Sequence, residues 1–236
     1  MEKVSVIIPT FNEALGIVTF IKRILRVFSK ISQQYKLEII IIDDNSPDNT
    51  GKIVKKKFLK DKRIRVFIRK NISGLGTAIG YGVKKAKGDI IIGIDADGNH
   101  DEIVIPALLK NLDQFDLVIA SRFIKGGGLE KKTDIFRHLV SFFINLFFKI
   151  FGSPVWDSTS GFYVIRKKKL KALGLGKIYY GYGDYHLRLV CLAKSHKYLI
   201  KEIPYTYKKR IAGKSKSNLF KMFFSYLLEG VKIKLK

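Results

Sequence analysis

The sequence predicts an α/β protein with a mainly parallel sheet that helices cover on both faces. Two observations support this fold class. Short β-branched runs alternate with helical patterns over the first 120 residues, and these runs are apolar throughout instead of alternating with polar residues. Strands of that kind are typical of parallel sheets that are buried on both faces. The 236 residues suffice for one sizeable domain and its core.

The first half of the chain carries the regular part of this pattern. Strands are predicted over residues 4–8, 37–42, 64–68, 89–94 and 117–120, with helical segments between them. After the first strand, apolar residues from Leu15 to Phe28 recur at helical spacing. Ligands of such sheets bind at the carboxyl ends of the strands, so we expect the chemistry in the loops that follow them.

The second half is less regular. Helices are predicted over residues 134–151, 183–195 and 218–236, short strands over 163–165 and 199–203, and a basic loop over 208–217. The first of these helices is crowded with Phe, Leu and Ile, and the last is amphipathic. Since no internal repeat, linker or change of composition marks a boundary, we expect residues 1–236 to form a single domain.

The charge is the exceptional feature of the composition. Lys and Arg number 45 against 20 Asp and Glu, which gives a formal net charge of +25. Such a charge indicates an anionic partner: nucleic acid, acidic phospholipid or a phosphorylated substrate. The single cysteine excludes an intrachain disulfide and fits a reducing, cytosolic environment. No run approaches the roughly 20 apolar residues that a membrane-spanning helix needs.

Carboxylates gather where the predicted strands end. Glu13 follows the first strand, Asp43 and Asp44 follow the second, and Asp95 and Asp97 follow the fourth. Two carboxylates spaced by one residue at a strand end can point into one site and bind a hard divalent cation, Mg²⁺ or Mn²⁺, which then bridges to phosphate oxygens. An isolated pair of this kind would more often be a solvated turn. The companions on neighbouring strand ends favour a site.

Taken together, the motifs resemble the inverting family-2 glycosyltransferases of the GT-A fold. Residues 4–13 (VSVIIPTFNE), 43–48 (DDNSPD) and 95–97 (DAD) carry this resemblance. Residues 74–78 (GLGTA), 121–123 (SRF), 126–128 (GGG), 159–162 (TSGF) and 210–216 (RIAGKSK) narrow it to the dolichyl-phosphate (polyprenyl-phosphate) mannose synthases and their glucosyl relatives. The resemblance covers nearly the whole chain in the same order. It implies a Rossmann-like GT-A domain with amphipathic helices in its C-terminal half.

The resemblance also implies roles for individual residues. Nucleotide-sugar contacts are expected from Pro9, Phe11, Glu13, Ile42, Asp44, Ala96 and Asn99. Asp95 and Asp97 are expected to hold the metal and to be catalytic together with Arg122 and Arg137. Contacts to the acceptor phosphate are expected from Arg137, Ser141, Arg210 and Lys216. Two positions depart from the family pattern: Phe11 stands where Tyr is usual, and Asn99 where Gln is usual.

The function implied is transfer of a hexose from a nucleotide sugar to dolichyl or polyprenyl phosphate, with inversion and with Mg²⁺ or Mn²⁺. Mannose from GDP-mannose is favoured, and transfer of glucose from UDP-glucose is the alternative. Residues 1–120 would bind the nucleotide sugar, and residues 121–236 the acceptor and the membrane interface. The acceptor phosphate is already anionic, so no strong general base is required. This agrees with the absence of an evident catalytic His from the sequence.

Two segments are candidates for membrane contact. Residues 134–151 and 218–236 are apolar and carry lysines, which predicts peripheral attachment at the cytoplasmic membrane face, with a separate anchoring subunit left open. Packing of both segments on the sheet is the alternative. Two other functions compete with this interpretation. A basic nucleic-acid-binding protein would explain the charge but not the strand-end carboxylates, and a saccharide or protein acceptor would leave the basic loop at 210–216 unexplained.

Overall fold

The computed structural model describes residues 1–71, 73–131, 134–213, 225, 226 and 229. Lys216 therefore lies outside the described residues. So does most of the helix predicted over residues 218–236, of which residues 225, 226 and 229 are described and are helical. Within the described ranges, no helix is both long enough and apolar enough to cross a membrane.

A seven-stranded sheet forms the centre of the molecule. In chain order the strands are β1 (Glu2–Thr10), β2 (Tyr35–Asp43), β3 (Ile64–Ile68), β4 (Ile90–Gly93), β5 (Leu117–Ser121), β6 (Gly128–Leu129), β7 (Tyr163–Arg166), β8 (Ile200–Pro204) and β9 (Thr206–Tyr207). The central order is β3-β2-β1-β4-β7-β5-β8, and β6 pairs with β9 in a small second sheet. All central pairings are parallel except those of β7 with β4 and β5. The predicted mainly parallel sheet is confirmed.

Helices cover both faces of this sheet. They are α1 (Ile17–Ser29), α2 (Thr50–Lys57), α3 (Leu75–Lys85), α4 (Ile105–Asn111), α5 (Ile135–Ile150), α6 (Lys167–Ala172), α7 (Leu175–Ile178) and α8 (Tyr185–Ser195), with a 3-10 turn at Glu102–Val104. Along β1, Val6 and Ile8 pack with α1 and α4, while Ile7 packs with α3 and α8. Successive residues of a strand point to opposite faces, so an entirely apolar strand serves two cores.

The direction of β7 follows from the path of the chain after β5. Residues 122–162, including α5, begin at the carboxyl end of β5 and return to the same edge, where the Ala120 N–H donates to the Phe162 carbonyl at 3.0 Å. Because this segment does not cross back over the sheet, β7 starts at that edge and must run antiparallel to β5. The helix α5 is therefore not a crossover helix.

The register of the strands brings the loops after β1, β2 and β4 to one edge. Thr10 pairs with Asp43 at the ends of β1 and β2, and Ile7 pairs with Gly93 at the end of β4. The small sheet adds a second constraint, which the sequence analysis did not predict. It pairs Gly128 with Thr206 and so brings the loop after β5 beside the loop after β8.

Candidate active site

Three acidic side chains and one arginine meet at the carboxyl edge of the sheet. Arg210 donates from Nη1 to Asp97 Oδ2 at 2.5 Å and from Nη2 to Glu13 Oε1 and Oε2 at 2.9 and 3.2 Å. The other oxygen of Asp97 accepts from the Asn99 N–H at 3.0 Å. Asp95 lies two residues before Asp97. Burial is the larger cause that raises the pKa of Asp97, and the charge of Asp95 is the second. One guanidinium thus faces three carboxylates.

Asp95 is the least satisfied member of this cluster. Its side chain is 37% exposed, and among the described residues its carboxylate has no hydrogen-bond partner. Burial, followed by the charge of Glu13, raises the pKa of Asp95 to about 6 against the opposing effects of Arg210 and Arg122. His100 offers no compensation: its Nε2 is 3.9 Å from Asp95 Oδ2, and burial lowers the pKa of His100 to about 4. The Asp95 carboxylate is therefore available to bind a ligand.

The loop that carries Arg210 is fastened to the turn after β4. The Lys208 N–H donates to the Asn99 carbonyl at 2.8 Å, and the Ile211 N–H donates to the Asp97 carbonyl at 3.0 Å. Asn99 is buried, and its Nδ2 donates to the Lys208 carbonyl at 2.6 Å. Gly98, with φ +76°, has no room for a side chain, because a Cβ would lie 2.5 Å from the Ile211 side chain. Asn99 thus fixes the loop through its amide.

The two carboxylates after β2 have different surroundings. Asp43 is buried, accepting from Thr10 Oγ1 at 2.9 Å, Ser46 Oγ at 2.5 Å and the Ser46 N–H at 3.0 Å. Asp44 pairs with Arg69 at 2.6 Å and accepts from the Gly74 N–H at 3.0 Å. Asp43 therefore shapes the turn after β2, whereas Asp44, with Arg69, lies at the start of α3.

The remaining residues expected at the nucleotide lie along the same edge. Pro9 and Ile42 are paired in register near the ends of β1 and β2, and both are buried. Ala96 is buried between the two acidic residues of the turn after β4. The Phe11 ring is 47% exposed. An exposed aromatic ring at a strand end is a stacking surface, so the residue that departs from the family pattern keeps that capacity.

Arg122 follows β5 and is locked into a buried ion pair. Its backbone N–H, Nε and Nη2 donate to the Asp157 carboxylate at 2.9, 2.8 and 2.7 Å. The Arg122 side chain is 10% exposed and that of Asp157 is fully buried. Burial alone would raise the pKa of Asp157, but the charge and hydrogen bonds of Arg122 outweigh it and hold that pKa below its usual range. Asp157 is therefore ionised at neutral pH, and both of its carboxylate oxygens accept hydrogen bonds from Arg122.

The helix α5 joins this pair through Thr159. Arg122 Nη2 and Asn145 Nδ2 donate to Thr159 Oγ1 at 3.0 and 2.7 Å, and Ser141 Oγ lies 3.2 Å from the same atom. Arg137 is placed one turn before Ser141, and its Nε is 3.2 Å from Asp134 Oδ2. The structure thus brings Ser141 to Arg122, and it pairs Arg137 with Asp134 at the start of the same helix.

Several residues of this edge escape sequence reasoning. Arg69, Asn145, Lys208 and the partnership of Asp157 with Arg122 depend on contacts between residues far apart in the chain. A lone Arg or Asp has no local pattern that distinguishes it from a surface charge. The usable signal is position: Arg122 and Asp44 each lie two residues after a predicted strand, and Asp95 directly follows one.

The donor set at Asp95 and Asp97 fits a divalent cation that is shared with a phosphorylated ligand. Among the described residues, no three His, Cys, Asp or Glu side chains are arranged to hold a metal by themselves. Mg²⁺ is commonly bound by one or two carboxylates together with substrate phosphates, so a complete protein cage is not needed. The unpartnered oxygens of Asp95 and its raised pKa are the mark of a carboxylate that a cation would stabilise.

A mainly parallel sheet with acidic and cationic side chains at the carboxyl ends of its strands is the arrangement in which open α/β proteins bind their ligands. Residues 5–174 match the profile of glycosyl transferase family 2, and the chain belongs to this family. The expected family membership and fold class are confirmed.

Relatives and solved structures agree with this assignment. Over 234 residues the chain is 33% identical to a dolichol-phosphate mannosyltransferase of Pyrococcus furiosus, covering 95% of this chain and 62% of that protein. It is 28% identical over 220 residues to the dolichol-phosphate mannosyltransferase of Saccharomyces cerevisiae, covering 90% and 80%. The chain therefore spans less than two thirds of the length of the archaeal relative.

Two solved structures share the fold. Glucosyl-3-phosphoglycerate synthase from Mycobacterium tuberculosis has a TM-score of 0.68 and 18% identity, covering 99% of this chain and 80% of that one. Mannosyl-3-phosphoglycerate synthase from Rubrobacter xylanophilus has a TM-score of 0.69 and 15% identity, covering 99% and 74%. At such identities the likeness concerns the fold alone.

Proposed function

We propose that the protein transfers a hexose from a nucleotide sugar to dolichyl or polyprenyl phosphate, with inversion at the sugar carbon. Membership of glycosyl transferase family 2 and the names of its relatives support this activity. The observation that carries the proposal is that the acidic pair after β4 and the Arg122 guanidinium after β5 lie at the same carboxyl edge of the sheet, since both strands run antiparallel to β7. Such an edge can receive two phosphorylated substrates.

For the donor, Asp95 and Asp97 would hold Mg²⁺ or Mn²⁺. When bound, the ion neutralises charge on the diphosphate leaving group. A solved structure of the mycobacterial neighbour contains Mn²⁺ and UDP-glucose. Phe11 would present its ring to the base, and Asp44, oriented by Arg69, would accept a hydrogen bond from the nucleoside. Arg210 donates to Asp97 Oδ2, so the cation would share that carboxylate with the guanidinium.

For the acceptor, Arg122 would bind the phosphate, with Ser141 and Arg137 on α5 beside it. The phosphate oxygen is anionic at neutral pH and can attack the sugar carbon directly, on the face opposite the departing diphosphate, which inverts that centre. No side chain has to remove a proton. Asp157 is unsuited to that role because it is fully buried and both of its oxygens accept from Arg122.

The names of the relatives favour mannose over glucose. Both donors present a nucleoside and a diphosphate, and the described contacts at Asp44 and Asp95 suit either. GDP-mannose is therefore the donor that we propose. Transfer from UDP-glucose instead would identify glucose as the sugar. In the same proposal, residues 1–120 form the nucleotide-sugar half and residues 121–236 the acceptor half of one domain.

The exposed side of α5 supports peripheral attachment to the cytoplasmic face of a membrane, alone or with an anchoring subunit. Ile135, Phe136, Phe143 and Ile150 are each more than 60% exposed, and Leu139 is 47% exposed. An apolar helix face of this kind suits the lipid interface, and surface lysines would add attraction to anionic headgroups. Because Ser141 lies on the same helix, a polyprenyl phosphate could keep its chain in the bilayer while its phosphate reaches Arg122.

A donor screen tests the proposed activity. The protein is incubated with Mn²⁺, a short-chain polyprenyl phosphate and radiolabelled GDP-mannose or UDP-glucose, and label is counted in the organic phase. We expect transfer from GDP-mannose, and none from boiled protein. Transfer from UDP-glucose alone would replace the sugar but keep the reaction. No transfer from either donor, together with a thermal stabilisation by random DNA that GDP and Mn²⁺ do not give, would favour the nucleic-acid alternative.

A further inference from the structure

We propose that Asp157 is a positioning residue, which aims the Arg122 guanidinium at the acceptor phosphate and ties its orientation to α5. The inference rests on the proposed function, since it takes Arg122 to be a phosphate ligand. Asp157 lies in the turn before the TSGF segment, a position that would suit either a catalytic base or a residue that only shapes the turn. The geometry assigns it to neither role.

The Asp157 carboxylate determines the orientation of Arg122. It accepts from the backbone N–H and from Nε and Nη2, so it fixes both the root and one edge of the guanidinium. Among the described residues, Nη1 has no hydrogen-bond partner. A guanidinium clamped along one edge keeps the other edge for a ligand in a fixed direction.

Asp157 is in turn held from behind. Glu202 on β8 accepts from the backbone N–H groups of Trp156 and Asp157 at 2.8 and 3.0 Å. The Glu202 carboxylate therefore anchors the turn that carries Asp157 to β8. Two acidic residues in series, Glu202 and Asp157, therefore connect β8 to the guanidinium.

Thr159 extends the network to the exposed helix. Its Oγ1 receives hydrogen bonds from Arg122 Nη2 and from Asn145 Nδ2, and it contacts Ser141 Oγ. Because Thr159 Oγ1 contacts both α5 and Arg122 Nη2, a displacement of α5 would change the position of the guanidinium. Phe123 and Tyr207 complete the surroundings, with the guanidinium carbon 4.9 and 5.5 Å from their ring centres.

The burial of this pair argues that its value lies in orientation. Well-packed apolar residues often replace a buried ion pair without loss of stability, so such a pair is weak evidence for a purely stabilising role. Glu38 provides a matched comparison at the opposite edge of the sheet. It too is buried and accepts from an arginine, Arg65, at 2.6 Å and from a backbone N–H, that of Lys87, at 2.8 Å.

The experiment compares Asp157→Asn, Glu38→Gln and Arg122→Lys in the full chain by steady-state kinetics and thermal unfolding. Asn keeps the shape of Asp157 but turns an amide toward the guanidinium. We expect Asp157→Asn to raise the apparent KM for polyprenyl phosphate about tenfold or more, with the donor KM within about twofold. Glu38→Gln should lower the Tm about as much as Asp157→Asn does, but it should leave both KM values within about twofold.

The outcomes separate this inference from the proposed function. An unchanged acceptor KM in Asp157→Asn, with a raised one in Arg122→Lys, would overturn the positioning role and leave the function standing. Wild-type kinetics in Arg122→Lys would remove Arg122 from the proposed acceptor site. If Asp157→Asn does not fold, Thr159→Val takes its place, because it deletes the link to α5 but keeps the ion pair. We then expect a smaller rise in acceptor KM, and a wild-type value would overturn the inference.

Discussion

Two carboxylates at opposite edges of the central sheet, Glu38 at the amino edge and Asp95 at the carboxyl edge, have opposite surroundings. At the amino edge, Glu38 accepts from Ser5 Oγ at 2.6 Å, from Arg65 at 2.6 Å and from the Lys87 N–H at 2.8 Å. Burial would raise the pKa of Glu38, but these hydrogen bonds outweigh it and lower that pKa. At the carboxyl edge, Asp95 has no such partner among the described residues, and burial with the charge of Glu13 raises its pKa to about 6.

The difference separates stability from function. A carboxylate that is fully hydrogen-bonded contributes to folding, whereas one that is crowded by like charge lowers stability until a ligand compensates it. Sites that bind charged substrates are where such unsatisfied groups are expected. We therefore regard Glu38 as a structural carboxylate and propose that the carboxyl edge, which holds Asp95, binds the substrates.

Replacing a carboxylate at each edge should have the largest effect. Asp97→Asn removes one charge from the proposed cation site and should lower transferase activity by about 100-fold or more, with the fold intact. EDTA should inactivate the wild type, and Mg²⁺ or Mn²⁺ should restore it. Glu38→Gln should instead cost about 1–3 kcal/mol of unfolding free energy and keep the activity. Full activity of the wild type in EDTA would refute the metal assignment.

Arginine replacements sharpen the comparison on the phosphate side. Arg→Lys keeps the charge but loses the planar fork, so Arg122→Lys should lower the catalytic efficiency about 10–100-fold, or ~1.4–2.7 kcal/mol. The matched change at the amino edge, Arg65→Lys, should leave efficiency within about twofold. For Arg137, whose Nε contacts Asp134, the same substitution decides between phosphate binding and a surface ion pair worth less than about 1 kcal/mol. Steady-state kinetics for both substrates measures each effect.

The two carboxylates should give opposite dependences of stability on pH. Because the pKa of Asp95 is raised in the folded protein, folded Asp95 is still protonated between about pH 4 and 6, where the unfolded chain has already lost that proton. The ionised Asp95 therefore lowers the free energy of unfolding fully above pH 6, and this destabilisation disappears in acid. Asp95→Asn should therefore stabilise the metal-free protein at pH 7 by about 1 kcal/mol, a small figure because water screens the partly exposed group. The lowered pKa of Glu38 gives stability that is present at pH 7 and lost as the pH falls below 4.5. Thermal unfolding of Asp95→Asn and Glu38→Gln at pH 7 and pH 4 tests both signs, and a destabilised Asp95→Asn at pH 7 would contradict the first.

Membrane contact is the smallest effect that we expect. Phe136→Ser with Phe143→Ser on α5 should reduce sedimentation with anionic vesicles at low salt several-fold, whereas Leu59→Ser, at a still more exposed position after α2, should not. About 1 M NaCl should release the wild type, because the Debye length is then ~3 Å. Equal sedimentation of the α5 and Leu59 variants would exclude α5 as the contact surface.

The sequence predicts the sheet and its acidic edge well, because strand-length apolar runs and the residues just after them are local signals. Residues 90–94, followed by Asp95 and Asp97, show both at once. What decides the site is not local. Arg210 reaches Glu13 across 197 positions and Asp97 across 113, and β6 and β9 are two residues long, too short for any periodicity. The link between Asp157 and Arg122 is hidden for the same reason.

The contrast between the edges is tested most directly by the stabilisation that Mn²⁺ and GDP together give to three proteins. A ligand that binds only the folded state raises the unfolding free energy by RT ln(1 + [L]/Kd), about 2.7 kcal/mol at 100 times Kd. We predict a clear increase of Tm for the wild type and for Glu38→Gln, and little or none for Asp97→Asn. An equal increase in all three proteins, or none in the wild type, would contradict the assignment of the carboxyl edge as the nucleotide-sugar site.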